Sequence, residues 1–310
     1  MLPLFDPVFD REGLAGRLRS LASDHISIGT SSWKYEGWLD QIYTRDRYLA
    51  RGKFSKKRFE AECLAEYAET FPIVCGDFSF YQFPTPEFWA RLFGSAPGAL
   101  KFALKAPEEV TCEIFPKHAR YGPRAGSRNE AYLNADALAA LFLEPLAPYA
   151  SRISTLIFEF GTRKTGPIEF IYRLDAFLAR LPGTFRYAVE VRNREYLAPH
   201  YFEALRSHRV AHVFNSWTRM PPLQEQMAIR DAFTTDFTVT RALLRPGRAY
   251  EDAVRMFTPY DRIQDENPEA RDALRKLIRR MREERRAAYI FVNNRLEGNA
   301  PETILAVADA

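Results

Sequence analysis

Along the chain, short runs of β-branched and aromatic residues alternate with longer stretches in which apolar positions recur every three or four residues. The short runs predict strands at residues 25–30, 72–77, 100–105, 152–160, 185–192, 210–215, 237–241 and 288–293. Between and after them, helical spacing covers 56–70, 86–93, 135–148, 167–181, 199–207, 224–232, 268–286 and 301–307. Several of these helices open with proline in the first turn, where its missing N–H costs nothing. Residues 10–22 predict a further short amphipathic helix. Repeated strand–helix alternation implies a parallel sheet, and eight units fit a closed (β/α)8 TIM barrel better than an open sheet. The expected organisation is one barrel domain over 25–310, preceded by an N-terminal extension with a short helix over 1–24.

Connection lengths add a direction. Helix-to-strand links such as 94–99 and 181–184 are short, whereas the strand-to-helix links at 31–55, 106–134, 216–223 and 242–267 include much longer ones. In this fold the latter all gather at the C-terminal ends of the strands, where its active sites lie. Composition changes the picture little: 310 residues, 46% apolar and 27% charged, exclude a disordered or fibrous chain. The net charge of +4 is misleading as a guide to partners. The stretch from Arg271 to Arg286 holds eight basic and three acidic residues, a surplus of five that accounts for all of it. Three scattered cysteines with no C-x-x-C spacing point to a reducing compartment, and no apolar run is long enough for a membrane span. The expectation is a cytoplasmic protein with no membrane partner.

Six blocks are specific enough to compare. They are GTSSWKYEGW from Gly29, AEYAETF from Ala65, FSFYQFPTPEFW from Phe78, KFALKAPEEVT from Lys101, YAVEVRN from Tyr187 and YIFVNNRLEGNAPET from Tyr289. In this order they resemble the DUF72 (YecE-like) family of uncharacterised proteins. The resemblance implies a TIM barrel and brings no established activity. The family pattern usually has Glu and Asn where this chain has Cys75 and Asp77, His where it has Cys112, and Gln where it has Glu159. It also has a His-Gly pair after the Arg that corresponds to Arg241, which is missing here.

Strand parity defines a candidate site. Ala188, Glu190 and Arg192 share one face of their strand, opposite Tyr187, Val189 and Val191, so the charged set is expected to face the barrel mouth. The same alternation brings Asp77, Lys105, Glu159, Asn215, Arg241 and Asn293 to the strand ends. Glu190, Lys105, Asp77 and Glu159 are the candidate catalytic groups, with Glu190 as general base and Lys105 as acid or electrostatic clamp. Arg192, Arg241, Asn215 and Asn293 are candidate ligand contacts, because guanidinium and amide groups suit carboxylate or phosphate oxygens. Ser31, Trp33, Tyr35 and Trp38 in the first loop, with Tyr81 in the second, are candidate hydroxyl and stacking contacts; packing of the loop onto the rim is the alternative. The histidines lack metal-ligand spacing and read as surface or capping residues, and no metal or other cofactor is expected.

The functional expectation is a barrel that binds or transforms a small anionic or polyhydroxy ligand, such as a phosphorylated sugar or nucleotide-like compound, by metal-independent acid–base chemistry. A hydrolase, lyase or isomerase would each fit. The alternatives are a nucleic-acid binding or processing protein, which the outer position of the basic helix does not favour, and a non-catalytic ligand-binding module.

Overall fold

A computed structural model describes residues 9–310, so the expectation for the first eight residues falls outside the described part. Eight strands form a closed, all-parallel barrel: β1 (Ile26–Thr30), β2 (Ile73–Gly76), β3 (Lys101–Lys105), β4 (Ile153–Phe160), β5 (Tyr187–Val191), β6 (Ala211–Ser216), β7 (Phe237–Ala242) and β8 (Ala287–Val292). Each pairs with its successor in sequence, and β8 returns to β1 with Gly29 opposite Phe291. All eight predicted strands are present, with ends shifted by a residue or two.

The two faces of the strands are chemically distinct. Ile73, Cys75, Ala103, Ile157, Ala188, Val213, Val239 and Phe291 fill the barrel interior. Ile28, Val74, Leu104, Phe158, Val189, Phe214 and Ile290 belong instead to the core shared with the helices. This period-two separation is the consequence of strand geometry. Gly29 has a particular role at the closure of the ring: a Cβ there would lie 1.9 Å from the Ile73 carbonyl oxygen. Only glycine lets β1 approach β2 at that point.

The outer helices follow the sequence closely where caps are clear. Ser55, Thr85, Asn267 and Asn299 each accept a backbone N–H at the start of a helix. Asp10 does the same for Arg11–Ser23, whose Leu14, Leu18 and Leu21 are buried. The helix expected over 135–148 departs from regularity, widening into a π-turn at Ala139–Leu143. Pro145 explains this, because it cannot donate to residue 141 and its ring would press on that carbonyl. Two features of the long loops were not expected: a helix at Tyr250–Phe257, and a small hairpin pairing Leu49–Ala50 with Lys53–Phe54. The hairpin turns on Arg51 and Gly52, both at positive φ.

His212 corrects the expectation that the histidines lie at surfaces or caps. It is 2% exposed on the helix-facing side of β6, with Nδ1 3.1 Å from the Tyr201 hydroxyl. Burial pushes its pKa down to about 3. The unfolded chain therefore binds a proton near pH 6.5 that the folded protein refuses until about pH 3. Stability attributable to this ring is full above pH 6.5 and falls by about 1.4 kcal/mol for each pH unit below it. Denaturant titrations of His212→Gln between about pH 4 and 6 should show a flatter pH dependence than the parent; parallel curves would count against this account.

Candidate functional site

The polar ends of the strands converge above the apolar interior. Lys105 ends β3, Glu159 lies next to Glu190 across the β4–β5 pairing, and Arg241 faces Asn215 across β6–β7. Three cations meet one carboxylate oxygen: Glu159 Oε2 lies 3.1 Å from Lys105 Nζ, 3.2 Å from Arg192 Nη2 and 2.6 Å from Arg241 Nη1. Glu190 lies against the same guanidiniums, with Oε1 2.6 Å from Arg192 Nη2 and Oε2 accepting from Arg241 Nη1. Burial alone would push the Glu159 carboxyl up, but Lys105, Arg192 and Arg241 outweigh it and hold it well below the usual carboxylate range. Burial likewise opposes the charge on Arg241, and Glu190, Cys75 and Glu159 reverse the balance, keeping it protonated. Beneath them, burial pushes the Cys75 thiol up to about 11, leaving it neutral.

The network is not saturated. Arg192 Nε and Nη1, Arg241 Nε, Asn215 Oδ1 and Ser31 Oγ are buried without a protein hydrogen-bond partner. Each such group costs on the order of 1–3 kcal/mol unless something satisfies it. Aromatic faces partly compensate the cations, Lys105 Nζ lying 3.5 Å from the Phe80 ring centre and the Arg192 guanidinium 3.8 Å from that of Trp217. Three bases against two acids leave this buried set at +1. Asp77, expected from strand parity among these groups, stands outside: it is exposed past the end of β2, its carboxylate with no ion-pair or hydrogen-bond partner among the described residues.

The remaining candidates divide. Tyr81 is 56% exposed beside Arg120, and Tyr35 is half-buried against Tyr260 and Trp38, where burial pushes its hydroxyl up to about 12. Trp33 and Trp38 do not offer stacking faces to the mouth. Trp38 is wholly buried, donating from Nε1 to Asn294 Oδ1, and Trp33 packs edge-on against Phe78. Their area is worth more in anchoring a loop of 25 residues than exposed to water. Asn293 commits its Oδ1, which accepts the Arg295 N–H at the turn after β8, while its amide N–H groups have no partner among the described residues. Asn215 spends its amide on the Val191 and Val213 carbonyls and keeps only Oδ1 free. Glu190 has no exposed surface, so it reaches a ligand only through the arginines, which corrects the expectation of a general base. For the same reason it is not placed to act with Glu159 as the pair of carboxylates that flank a glycosidic bond.

Sequence reasoning does not point to Trp217 or Arg163. Trp217 sits two residues beyond Asn215, one past the end of β6, so continuing the strand parity by one residue reaches it. Arg163 gave no signal, because its placement depends on Glu113 in another loop. Beside the network a cleft of about 530 Å³ opens, bounded by Glu159, Phe80, Cys112, Arg163 and Thr165. Two hollows of about 870 Å³ lie elsewhere, one between Lys56–Thr70 and Pro86–Ser95 and one beside Leu223–Ala228. No group of three or more metal-ligating side chains occurs among the described residues. On the basic outer helix, Arg271, Lys276, Arg280 and Arg282 each pair with a carboxylate, and Arg275 donates to the Ala306 carbonyl.

Fold and site together define a (β/α)8 barrel with a buried, cation-rich ion network at the C-terminal end of its strands. The chain belongs to the DUF72 family, described as a protein family of unknown function, whose model matches residues 27–310. Among curated proteins it is 27% identical over 173 residues to the UPF0759 protein YecE of Escherichia coli K12, covering 56% of this chain and 50% of the relative. The chain thus spans about half the length of the curated relatives it matches. A crystal structure of a DUF72 family protein from Enterococcus faecalis superposes with a TM-score of 0.62 at 18% identity, covering 92% of this chain and 94% of the other. One from Thermotoga maritima gives 0.60 at 20% identity, covering 92% and 98%. At these identities the likeness speaks for the fold alone. Among the described residues no helix is long and apolar enough to cross a membrane.

Proposed function

We propose that the barrel mouth binds a small organic anion, of the sugar-phosphate or nucleotide-like kind, and acts on it by acid–base chemistry. The observation that carries this reading is the set of buried guanidinium N–H groups on Arg192 and Arg241 that have no acceptor in the protein. An anionic oxygen is the group that satisfies them best, since charge-assisted bonds are about twice as strong as neutral ones. Lys105, Arg192 and Arg241 are the ligand donors in this reading, while Glu190 acts as a positioning residue beneath them. Asp77, with no cation to hold it, is the carboxylate free to exchange a proton with a ligand lying over the network.

Removing one donor tests the reading. Arg192→Gln should weaken binding of inorganic phosphate, measured by titration calorimetry, by about tenfold or more, the loss expected for charged hydrogen bonds worth about 1.5–3 kcal/mol. Phosphate affinity unchanged in a variant that remains folded would count against an anion site at this network.

A further inference from the structure

The cleft beside the network selects between the two kinds of ligand. We infer that it receives a hydroxylated body, so that the ligand is a sugar phosphate and not a nucleotide; this rests on the anion-site reading above. Glu159 and Phe80, both of which touch Lys105, line the cleft, so a group bound beside them neighbours the network through these two side chains. Its volume of about 530 Å³ is in the range that encloses a small metabolite.

The wall is built and rigid. Arg163, whose side chain is 7% exposed, donates from Nη1 to the Thr111 carbonyl at 3.0 Å and from Nη2 to Glu113 Oε2 at 2.7 Å. Its guanidinium rests 4.5 Å from the Tyr132 ring centre, and its Nε is buried with no protein partner. Glu113 is fully occupied, taking Arg163, Thr165 and Arg173. It fixes the wall and leaves Thr162 and Lys164, which have no partners among the described residues, directed to solvent at the rim. The Thr162 hydroxyl and the Lys164 ammonium group thus stand at the cleft beside the Arg163 side chain.

A nucleobase needs flat apolar faces on which to stack. Phe80 is the aromatic side chain lining this cleft, and Lys105 already lies over its ring at 3.5 Å. A pyranose or open-chain polyol asks for donors and acceptors set beside apolar surface that its C–H face can cover, supplied here by Thr162 and Lys164 beside Ile114 and Pro116. The lining therefore matches a sugar and offers a base little.

Titration calorimetry with inorganic phosphate, glucose 6-phosphate and adenosine 5′-monophosphate separates the outcomes. Glucose 6-phosphate should bind about tenfold more tightly than inorganic phosphate, and more tightly than the nucleotide. The exposed double variant Thr162→Val, Lys164→Ala should bring it down to the affinity that the same variant shows for inorganic phosphate. Tighter binding of the nucleotide, or an advantage of the sugar phosphate that survives the double variant, overturns this inference while leaving the anion site standing. Failure of all three compounds to bind overturns the anion-site reading itself and this inference with it.

Discussion

Glu190→Ala should lower the stability of the barrel by about 3–5 kcal/mol, the usual cost of removing one partner from a buried, hydrogen-bonded ion pair. Both Glu190 oxygens lie against guanidiniums, and none of these three residues is more than 5% exposed. Without Glu190, Arg192 and Arg241 would share only Glu159, and three cations would face one carboxylate. The shift in the denaturant midpoint of unfolding reads this out, with Glu190→Gln expected to fall between the parent and the Ala variant because it retains an acceptor but not the charge. A change below about 1 kcal/mol for the Ala variant would place Glu190 outside the structural frame of the site. This expectation departs from the sequence reading, in which Glu190 is a mouth-facing general base.

Glu159→Gln should act in the opposite sense on ligand binding, raising the affinity for inorganic phosphate by about tenfold or more. Lys105, Arg192 and Arg241 converge on a single oxygen of Glu159, which occupies the place a ligand oxygen would take. Glu159 is 15% exposed and borders the cleft, so an incoming anion competes with it directly. Replacing the carboxylate by an amide raises the buried set from +1 to +2. At an effective dielectric near 20 and about 4 Å, one unit of charge is worth about 4 kcal/mol. Even after relaxation of the side chains, a fraction of that suffices for the tenfold gain. Calorimetric affinity equal to or weaker than that of the parent would mean that Glu159 helps to build the anion site and does not compete for it.

Strand parity makes much of this site legible from the amino-acid sequence. A period of two fixes which side of a strand a residue faces, so Lys105, Glu159, Glu190, Arg192, Asn215 and Arg241 can be placed from their neighbours alone. Caps and prolines mark the helices for the same local reason. Loop residues are not legible in this way. Trp33 and Trp38 follow a strand and look like a binding surface, yet the loop folds back and buries them, a decision made by Asn294 and Phe78 farther along the chain. Parity also says nothing about pairing. It brings six charges to one end of the barrel but does not tell that Asp77 stays apart, because that depends on where β2 ends and how the next loop leaves it.

The central claim is that the network at the strand ends is an anion site and not only a plug of paired charges. The most direct measurement is the anomalous diffraction of crystals grown with tungstate, an electron-dense oxyanion. The account predicts a peak within hydrogen-bond reach of Arg192 and Lys105, with Glu159 displaced toward the cleft. Tungstate absent from the mouth at saturating concentration, with Glu159 still joined to all three cations, would contradict it.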